Sequence, residues 1–369
     1  MANTSMVATG SKHDDWTSNS GETLTNEFVL TKSSGGGTSS PPQTEFNSLS
    51  IIRESYRSQG LSEKAIAIIM HSWRNSTKAQ YSPYIKLWFS YCGTRVDYLN
   101  PPITTIIEFL ADLHTKRYTY PQLCLARSAL SSVIVLPGSL PLGRHPLVKR
   151  FMKGVFELDP HFPRYKFVWD VSILFNYFRS LNAPEHLSLE ILGKKLAIML
   201  SILAGGQRCQ TIHAINALHI TIVNGLCHIP LYTALKQTRH GKHLKPLGFA
   251  VFTSEPKLCV ITNLCVYLKL TKPFRTDSAL FLSYHRPHRA VSKDTIARWS
   301  KGMMAASGID TTLYVTHSSR SAAASFARKK GLTLNEICDA CGWSNESTFA
   351  NHYNKEILPQ RTVMDVVLN

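Results

Sequence analysis

The chain has 369 residues, of which 44% are hydrophobic, and its 41 lysines and arginines against 24 acidic residues give a formal net charge of +17. This length exceeds one ordinary domain and suits two, with enough apolar residues for a core in each. A charge excess of this size is self-repelling unless an acidic partner is bound, so it favours a polyanion. Nucleic acid is favoured over an anionic membrane surface.

The amino terminus shows no basic start followed by an apolar stretch, which argues against a secretory signal peptide. No apolar run approaches the roughly 20 residues that a membrane-spanning helix needs. The longest run, LAIMLSILAGG, is bounded by Lys194, Lys195 and Arg208. We therefore expect a soluble, intracellular protein whose eight cysteines are free thiols in apolar surroundings.

Cys338 and Cys341 form a C-x-x-C pair with His352 further along the chain, which leaves two interpretations. One is half of a zinc site, but a closed site needs four ligands and no second C-x-x-C or H-x-x-x-H lies nearby. The favoured interpretation places both thiols on the buried face of a helix in LNEICDACGW. We expect neither a metal nor a cofactor.

The first half of the chain divides into a tail and a helical domain. Residues 1–58 are rich in Ser, Thr and Gly, include SSGGGTSSPP, and are predicted to be disordered. Residues 59–157 show apolar spacing of three and four, with the capping residues NST before one helix, Gly93 after it, and Pro101 and Pro102 before the next. The prolines of DPHFPRYK predict a linker over 158–166.

The second domain is predicted over 167–357, with a C-terminal tail at 358–369. Two helical segments, WDVSILFNYFRSL and SLEILGKKLAIMLSILAGG, come first. A β-branched stretch follows, and Asn224-Gly225 and His240-Gly241 predict a small antiparallel meander with two hairpin turns. Further helices are predicted at about 258–270, 292–306, 319–329, 333–341 and 345–357. The expected fold class is mainly α with a small antiparallel β-sheet.

Five places in this second domain carry residues suited to phosphate chemistry. They are Arg208 after two glycines, Lys236 before the second turn, His317 with Arg320 at i, i+3, Trp343, and Tyr353. Each has an ordinary explanation alone, since surface basic residues are usually solvated and helical Trp or Tyr residues usually pack in a core. Only their combination points to a function.

Taken in order, these residues resemble the tyrosine recombinase, or phage integrase, family: Arg, a hairpin Lys, His-x-x-Arg, Gly-His/Trp and Tyr. The segments LSEKAIAIIMHSW, STKAQYSPYIKLWFSYC and HPLVKRFMKGVFELDP are similar to the branch carried by DIRS-type retrotransposons of eukaryotes. The resemblance covers residues 60–357. It implies a helical, SAM-like core-binding domain and an α+β catalytic domain, which break and rejoin DNA site-specifically through a 3′-phosphotyrosyl intermediate, without metal or ATP.

The resemblance also implies a role for each residue. Arg208 and Arg320 match the geometry of the phosphate oxygens, on which negative charge builds. His317 is the expected base and Tyr353 the nucleophile. Trp343 is expected to touch the scissile phosphate and pack beneath the helix of Tyr353. Lys236 is the expected general acid, although Lys242 or Lys245 remains an alternative.

Two further departures from the family pattern concern the site. Thr211 stands where many relatives carry an acidic residue, which affects the orientation of Arg208. The interval from Trp343 to Tyr353 is one residue longer than is common in bacterial and phage relatives. The helix must therefore bulge or shift if Tyr353 is to point inward.

The expected partner is double-stranded DNA, bound as a clamp by a homo-tetramer on two duplexes that exchanges C-terminal tails, and the expected location is the nucleus. The basic residues predicted to contact DNA are Lys78, Arg117, Arg144, Lys149, Arg150, Arg164, Lys166, Arg239 and Lys242. The alternative function is a domesticated DNA-binding protein that keeps the fold and no longer cuts. A type IB topoisomerase-like enzyme shares the chemistry, but the helical N-terminal domain and short chain favour a recombinase.

Overall fold

The computed structural model describes residues 48–134, 136, 140–160, 165–236, 238, 240–241 and 244–358. Contacts divide the chain into two compact units, Met1–His161 and Phe162–Asn369. Three of the basic residues predicted to contact DNA, Arg164, Arg239 and Lys242, lie outside the described residues. So do residues 1–47 of the predicted tail and 359–369 at the carboxyl end.

The first unit is helical over its described residues. Its helices are α1 Ser48–Ser58, α2 Glu63–His71, α3 Asn75–Cys92, α4 Ile103–Thr115, α5 Tyr120–Leu130 and α6 Pro146–Leu158. Trp88 is fully buried at the centre of its core, where its indole N–H donates to the carbonyl of Tyr98 at 2.9 Å. The polar atom of this large core residue is thereby satisfied.

Helix α1 corrects the prediction that residues 1–58 are disordered throughout. Ile51 and Ile52 are 4% and 1% exposed and belong to the core of the first unit. The Ser55 hydroxyl donates to the carbonyl of Val133 at 2.6 Å. The polar composition of the preceding residues hid this apolar pair, whose burial stabilises a helix too short to form alone.

The second unit combines helices with two small sheets. Its elements are β1 Phe167–Val168, α7 Val171–Ser180, α8 Leu189–Leu203, α9 Cys209–His213, β2 Thr221–Val223, β3 Leu226–Ile229, β4 Leu247–Ala250, α10 Val260–Thr271, α11 Lys293–Ala306, α12 Ser318–Lys329, α13 Leu334–Cys341, α14 Glu346–Thr348, a π-helical turn Phe349–Tyr353, and β5 Glu356–Ile357. Helix α8 is buried along most of its length and contacts α10, α11 and α12. It is the hydrophobic centre of the unit.

Strands β2, β3 and β4 form an antiparallel sheet in that order. Asn224 and Gly225 both have positive φ in the turn between β2 and β3, where Val223 pairs with Leu226. This is the predicted first hairpin. The second expected turn, around Gly241, lies inside a long connection from 230 to 246 instead of joining β3 to β4 tightly. The predicted fold class, mainly α with a small antiparallel sheet, is confirmed.

A two-stranded parallel sheet was not predicted. Strand β5 pairs with β1, and the Leu358 N–H extends the ladder to the carbonyl of Val168 at 2.8 Å. Because these strands are only two residues each and 188 positions lie between the paired Phe167 and Glu356, local sequence gives no signal for them. The pairing ties the chain just after Tyr353 to the start of the unit. In the described part of the chain, no helix combines the length and apolarity needed to cross a bilayer.

Candidate active site

Two consecutive glycines bring the loop before Arg208 against α12. Gly205 and Gly206 have φ of +83° and +76°, a region that residues with a Cβ rarely adopt. A Cβ on Gly206 would lie 2.9 Å from the Cα of Arg320. Glycine at this position therefore allows the two arginine-bearing segments to approach each other.

Gln207 fixes the same loop to α13. Its side-chain amide donates to the backbone carbonyls of Ala204 and Ala340 at 2.9 and 2.7 Å. The backbone carbonyl of Gln207 accepts from the Ser201 hydroxyl at 2.7 Å. Sequence reasoning missed this residue, although its place between Gly206 and Arg208 was a signal. The loop that ends at Arg208 is held at both its backbone and its side chain.

Arg208 precedes α9 and carries an unsatisfied donor. Its Nη1 is buried, and no acceptor for it lies within hydrogen-bonding distance among the described residues. Thr211, at the position where an acidic residue was expected, is buried on α9, and its backbone N–H donates to the carbonyl of Arg208 at 2.8 Å. A buried guanidinium nitrogen without an acceptor is costly, and an anion is the natural group to satisfy it.

Arg320 is 1% exposed and is fixed by two backbone carbonyls. Its Nη1 donates to Gly206 and its Nη2 to Cys341, each at 2.7 Å. The guanidinium carbon lies 4.7 Å from the centre of the Trp343 ring, a cation–π contact. Burial and the charge of Arg208 lower the pKa of Arg320 to about 10, so that it remains charged at neutral pH.

His317 meets Tyr353 directly. The Tyr353 hydroxyl lies 3.3 Å from Nε2 of His317. Burial, and then the charges of Arg320, Arg208 and Lys236, lower the pKa of His317 to about 4. The imidazole is therefore neutral at pH 7, and in the tautomer with its proton on Nδ1 its Nε2 accepts a hydrogen bond from the hydroxyl.

The helix that ends at Tyr353 contains a bulge, which accommodates the extra residue between Trp343 and Tyr353. Residues Phe349–Tyr353 form a π-helical turn, and the Asn354 N–H donates to the carbonyl of Phe349 at 2.8 Å, an i to i+5 bond. A π turn accommodates one more residue than an α turn. The aromatic ring of Tyr353 stacks on Trp343 at 4.5 Å between centroids, with an interplanar angle of 28°.

The lysines of the β3–β4 connection differ in their surroundings. Lys236 is exposed, and its positive charge is the smallest of the causes that lower the pKa of His317. Lys245 forms an exposed ion pair with Asp339 of α13 at 2.9 Å. Lys242 lies outside the described residues. Of the two lysines that the structure describes, Lys236 is the one associated with the site.

The C-x-x-C pair lies on α13, and the backbone carbonyl of Cys341 accepts from Arg320. Cys338 and Cys341 are buried with Ile337, Trp343 and Phe349 in a small apolar cluster. The Cys341 thiol donates to the carbonyl of Gly205 at 2.8 Å, and burial raises its pKa to about 11. His352 is exposed. Within the described ranges, no group of three or more His, Cys, Asp or Glu side chains is arranged to hold a metal ion.

Neither a protein-family model nor a curated protein sequence matches this chain. Solved structures do. The XerH site-specific recombinase bound to palindromic difH, in a post-cleavage complex, has a TM-score of 0.53 and 13% identity, with 85% of this chain and 96% of that chain covered. The XerH–difH pre-cleavage complex gives a TM-score of 0.52 and 12% identity over 87% and 94%. The Tn1549 transposon integrase with transposon right end DNA gives 0.50 and 11% over 88% and 98%.

The chain has the fold of these recombinases. Structural similarity at 11–13% sequence identity shows the fold alone, so the function must be argued from the site. The structure brings Arg208, His317, Arg320, Trp343 and Tyr353 together, and the charge of Lys236 acts on His317.

Proposed function

We propose that this protein breaks and rejoins DNA strands site-specifically through a covalent 3′-phosphotyrosyl intermediate on Tyr353. The observation that carries the proposal is the 3.3 Å approach of the Tyr353 hydroxyl to the neutral imidazole of His317. The buried guanidinium of Arg320 and the half-buried Arg208 both act electrostatically on His317, and the buried Nη1 of Arg208 is a donor without an acceptor in the described part of the chain. A nucleophile, a base and a receptor for an anion thus occupy one place.

In the proposed reaction the Tyr353 oxygen attacks the phosphorus of a phosphodiester. His317 Nε2 accepts the phenolic proton as the new P–O bond forms, and Arg208 and Arg320 stabilise the charge on the non-bridging oxygens. The bond from phosphorus to the 5′ oxygen breaks, and Lys236 donates a proton to that oxygen. One phosphoester bond forms for each one broken, so reversal by a 5′ hydroxyl rejoins a strand without an external energy source.

Trp343 has a packing role in this scheme. It stacks on the ring of Tyr353 and lies beneath the guanidinium of Arg320 at 4.7 Å. A rigid aromatic surface restricts both side chains at little entropic cost. We assign Trp343 to orienting the nucleophile and the arginine, with its indole N–H toward the phosphate as a further proposal.

Double-stranded DNA is the proposed partner. The recombinase and the integrase named above were both solved with DNA, and the net charge of +17 favours a polyanion. The predicted contact residues that the structure describes are Lys78 on α3, Arg117 after α4, Arg144, Lys149 and Arg150 at the start of α6, and Lys166 before β1. All but the half-buried Lys78 are exposed.

The proposal also covers the oligomeric state of the protein, its evolutionary origin and its location in the cell. The tetramer on two duplexes with exchange of C-terminal tails, the DIRS-type origin and the nuclear location rest on the sequence resemblance alone. The tail beyond Leu358 lies outside the described residues. Deleting residues 359–369 is expected to leave adduct formation intact and to remove cooperative synapsis, measured by gel shift with two duplexes.

The deciding experiment traps the covalent intermediate. A pool of nicked duplexes with randomised flanking sequence is incubated with the protein, and adducts that survive denaturation in detergent are isolated and sequenced. We expect the wild type to form them and Tyr353→Phe to form none, while Tyr232→Phe, at an exposed tyrosine of the same unit, matches the wild type. An adduct in Tyr353→Phe refutes the nucleophile assignment. DNA binding without any adduct in the wild type supports the inactive, domesticated alternative.

A further inference from the structure

Ser325 bridges the two ends of the peptide segment that follows the proposed nucleophile. It lies on α12, the helix that begins just after His317 and carries Arg320, and it is 5% exposed. Its hydroxyl donates to the carbonyl of Tyr353 at 2.8 Å and accepts from the N–H of Lys355 at 3.1 Å. One buried hydroxyl therefore satisfies two backbone groups on either side of Asn354.

These two backbone groups need an external partner because the helix ends there. The π turn stops at Tyr353, and carbonyls at the end of a helix have no intrahelical donor. A backbone group that loses its hydrogen-bond partner must find another partner in the protein or in water. Ser325 ends the run SAAAS, which carries no local signal for this contact, so only the tertiary structure reveals it.

The contact joins the backbone of Tyr353 to the helix that holds its reaction partners. The Tyr353 hydroxyl contacts His317, and the Tyr353 backbone carbonyl accepts from Ser325. Between the two anchors, Ala322, Ala323 and Ala324 are buried, so α12 is held firmly in the core. Both contacts of Tyr353 are therefore made to α12 or its N-cap residue, and this one rigid helix sets the distance from the Tyr353 hydroxyl to His317.

The segment after Lys355 is held separately. The Lys355 amine donates to the carbonyl of Tyr165 at 2.9 Å and lies 4.1 Å from the centre of that ring. The strand that follows pairs with β1. These contacts fix the chain two or more residues beyond Tyr353, so loss of the Ser325 hydroxyl is expected to move Tyr353 without releasing the whole segment.

We propose that Ser325 is a positioning residue for Tyr353, an inference that rests on the proposed function. Its hydroxyl holds the main chain of Tyr353 so that the phenolic oxygen stays in line with the scissile phosphate. Without it, the carbonyl of Tyr353 and the N–H of Lys355 must turn toward other partners. A misplacement of about 1 Å at a reacting atom lowers a rate about 100-fold.

An isosteric pair isolates the hydroxyl from packing. Ser325→Thr and Ser325→Val add the same bulk in the core, but only threonine retains the hydroxyl. We expect single-turnover adduct formation in Ser325→Val to be about 10- to 100-fold slower than in Ser325→Thr. DNA affinity, measured with the same sequence-selected duplex, is expected to be equal for the two variants because Ser325 is buried.

A substrate with sulfur in place of the 5′ bridging oxygen separates positioning from proton donation. A thiolate leaves without a proton, so this substrate is expected to rescue Lys236→Ala and to leave Ser325→Val slow. Equal adduct rates in the Thr and Val variants, or rescue of Ser325→Val by the sulfur substrate, overturn the inference while the Tyr353 adduct of the wild type still stands. Absence of the wild-type adduct instead refutes the proposed function.

Discussion

The Tyr353 hydroxyl and the His317 imidazole, 36 positions apart in sequence, lie 3.3 Å apart. His317 immediately precedes α12 at its N-cap position, and Tyr353 ends a π turn. The burial and positive charge that surround His317 keep it neutral. A neutral imidazole has a ring nitrogen lone pair that can accept a hydrogen bond from the phenol.

This relationship predicts a pH dependence of stability. The pKa of His317 is about 4 in the folded protein against an ordinary value of 6.5, chiefly through burial. As the pH falls from 6.5 toward 4, the unfolded chain binds a proton that the folded chain does not, so the free energy of unfolding decreases. The slope from this group approaches about 1.4 kcal/mol per pH unit.

Urea denaturation between about pH 7 and pH 4.5 measures that slope. We expect His317→Asn to reduce it and His285→Asn, at an exposed histidine of the same unit, to leave it unchanged. Identical slopes in wild type and His317→Asn would contradict the assignment of a neutral, buried imidazole.

Gly206→Ala is predicted to damage both stability and adduct formation. The new methyl meets the backbone of Arg320 at 2.9 Å, at a residue whose φ is +76°. The strain is expected to cost about 1–3 kcal/mol, measured by urea denaturation. Gly308→Ala, where φ is +90° and no atom of the described residues lies within 4 Å of the new methyl, separates the backbone strain from the steric clash. Equal losses in both variants would show that the approach of Arg320 is unimportant.

Deleting one residue from the π turn and inserting one into it are predicted to have different effects on adduct formation. Deleting the exposed Ala350 should convert the π turn into an α turn, because the chain on either side is fixed by Trp343 and by Ser325. We expect adduct formation within about tenfold of wild type. Inserting an alanine after Ala350 should rotate Tyr353 by about 100° and abolish the adduct. The adduct assay tests both, and activity of the insertion variant would argue against a fixed register.

The exposed basic residues of the first unit are predicted to set the salt dependence of DNA binding. Substituting Arg117, Arg144, Lys149 and Arg150 together by glutamine should reduce the slope of log K against log salt by about 0.9 for each phosphate that is no longer neutralised. The matched control substitutes Lys64, Lys86, Lys116 and Lys153, which are exposed lysines of the same unit. A slope that falls equally in both sets would indicate a diffuse charge effect instead of a defined DNA-binding surface.

Local sequence determined much of this architecture. Helix α13 begins with the capping box of Thr333 and Glu336 and ends at the left-handed Gly342, and the β2–β3 hairpin turns at Asn224-Gly225. These features are set by neighbours along the chain, so periodicity and capping chemistry predict them. The ordered series from Arg208 to Tyr353 likewise identified the residues that the fold gathers.

Only the tertiary structure decided how those residues meet. The Ser325 bridge, the glycine contact with Arg320 and the β1–β5 pairing each depend on groups brought together from distant positions. Helix α1 forms for the same reason, since burial of Ile51 and Ile52 in the core outweighs the polar composition before it. Local propensity specifies where an element starts and stops, whereas the position of a reacting hydroxyl depends on the packing and hydrogen bonds that surround it.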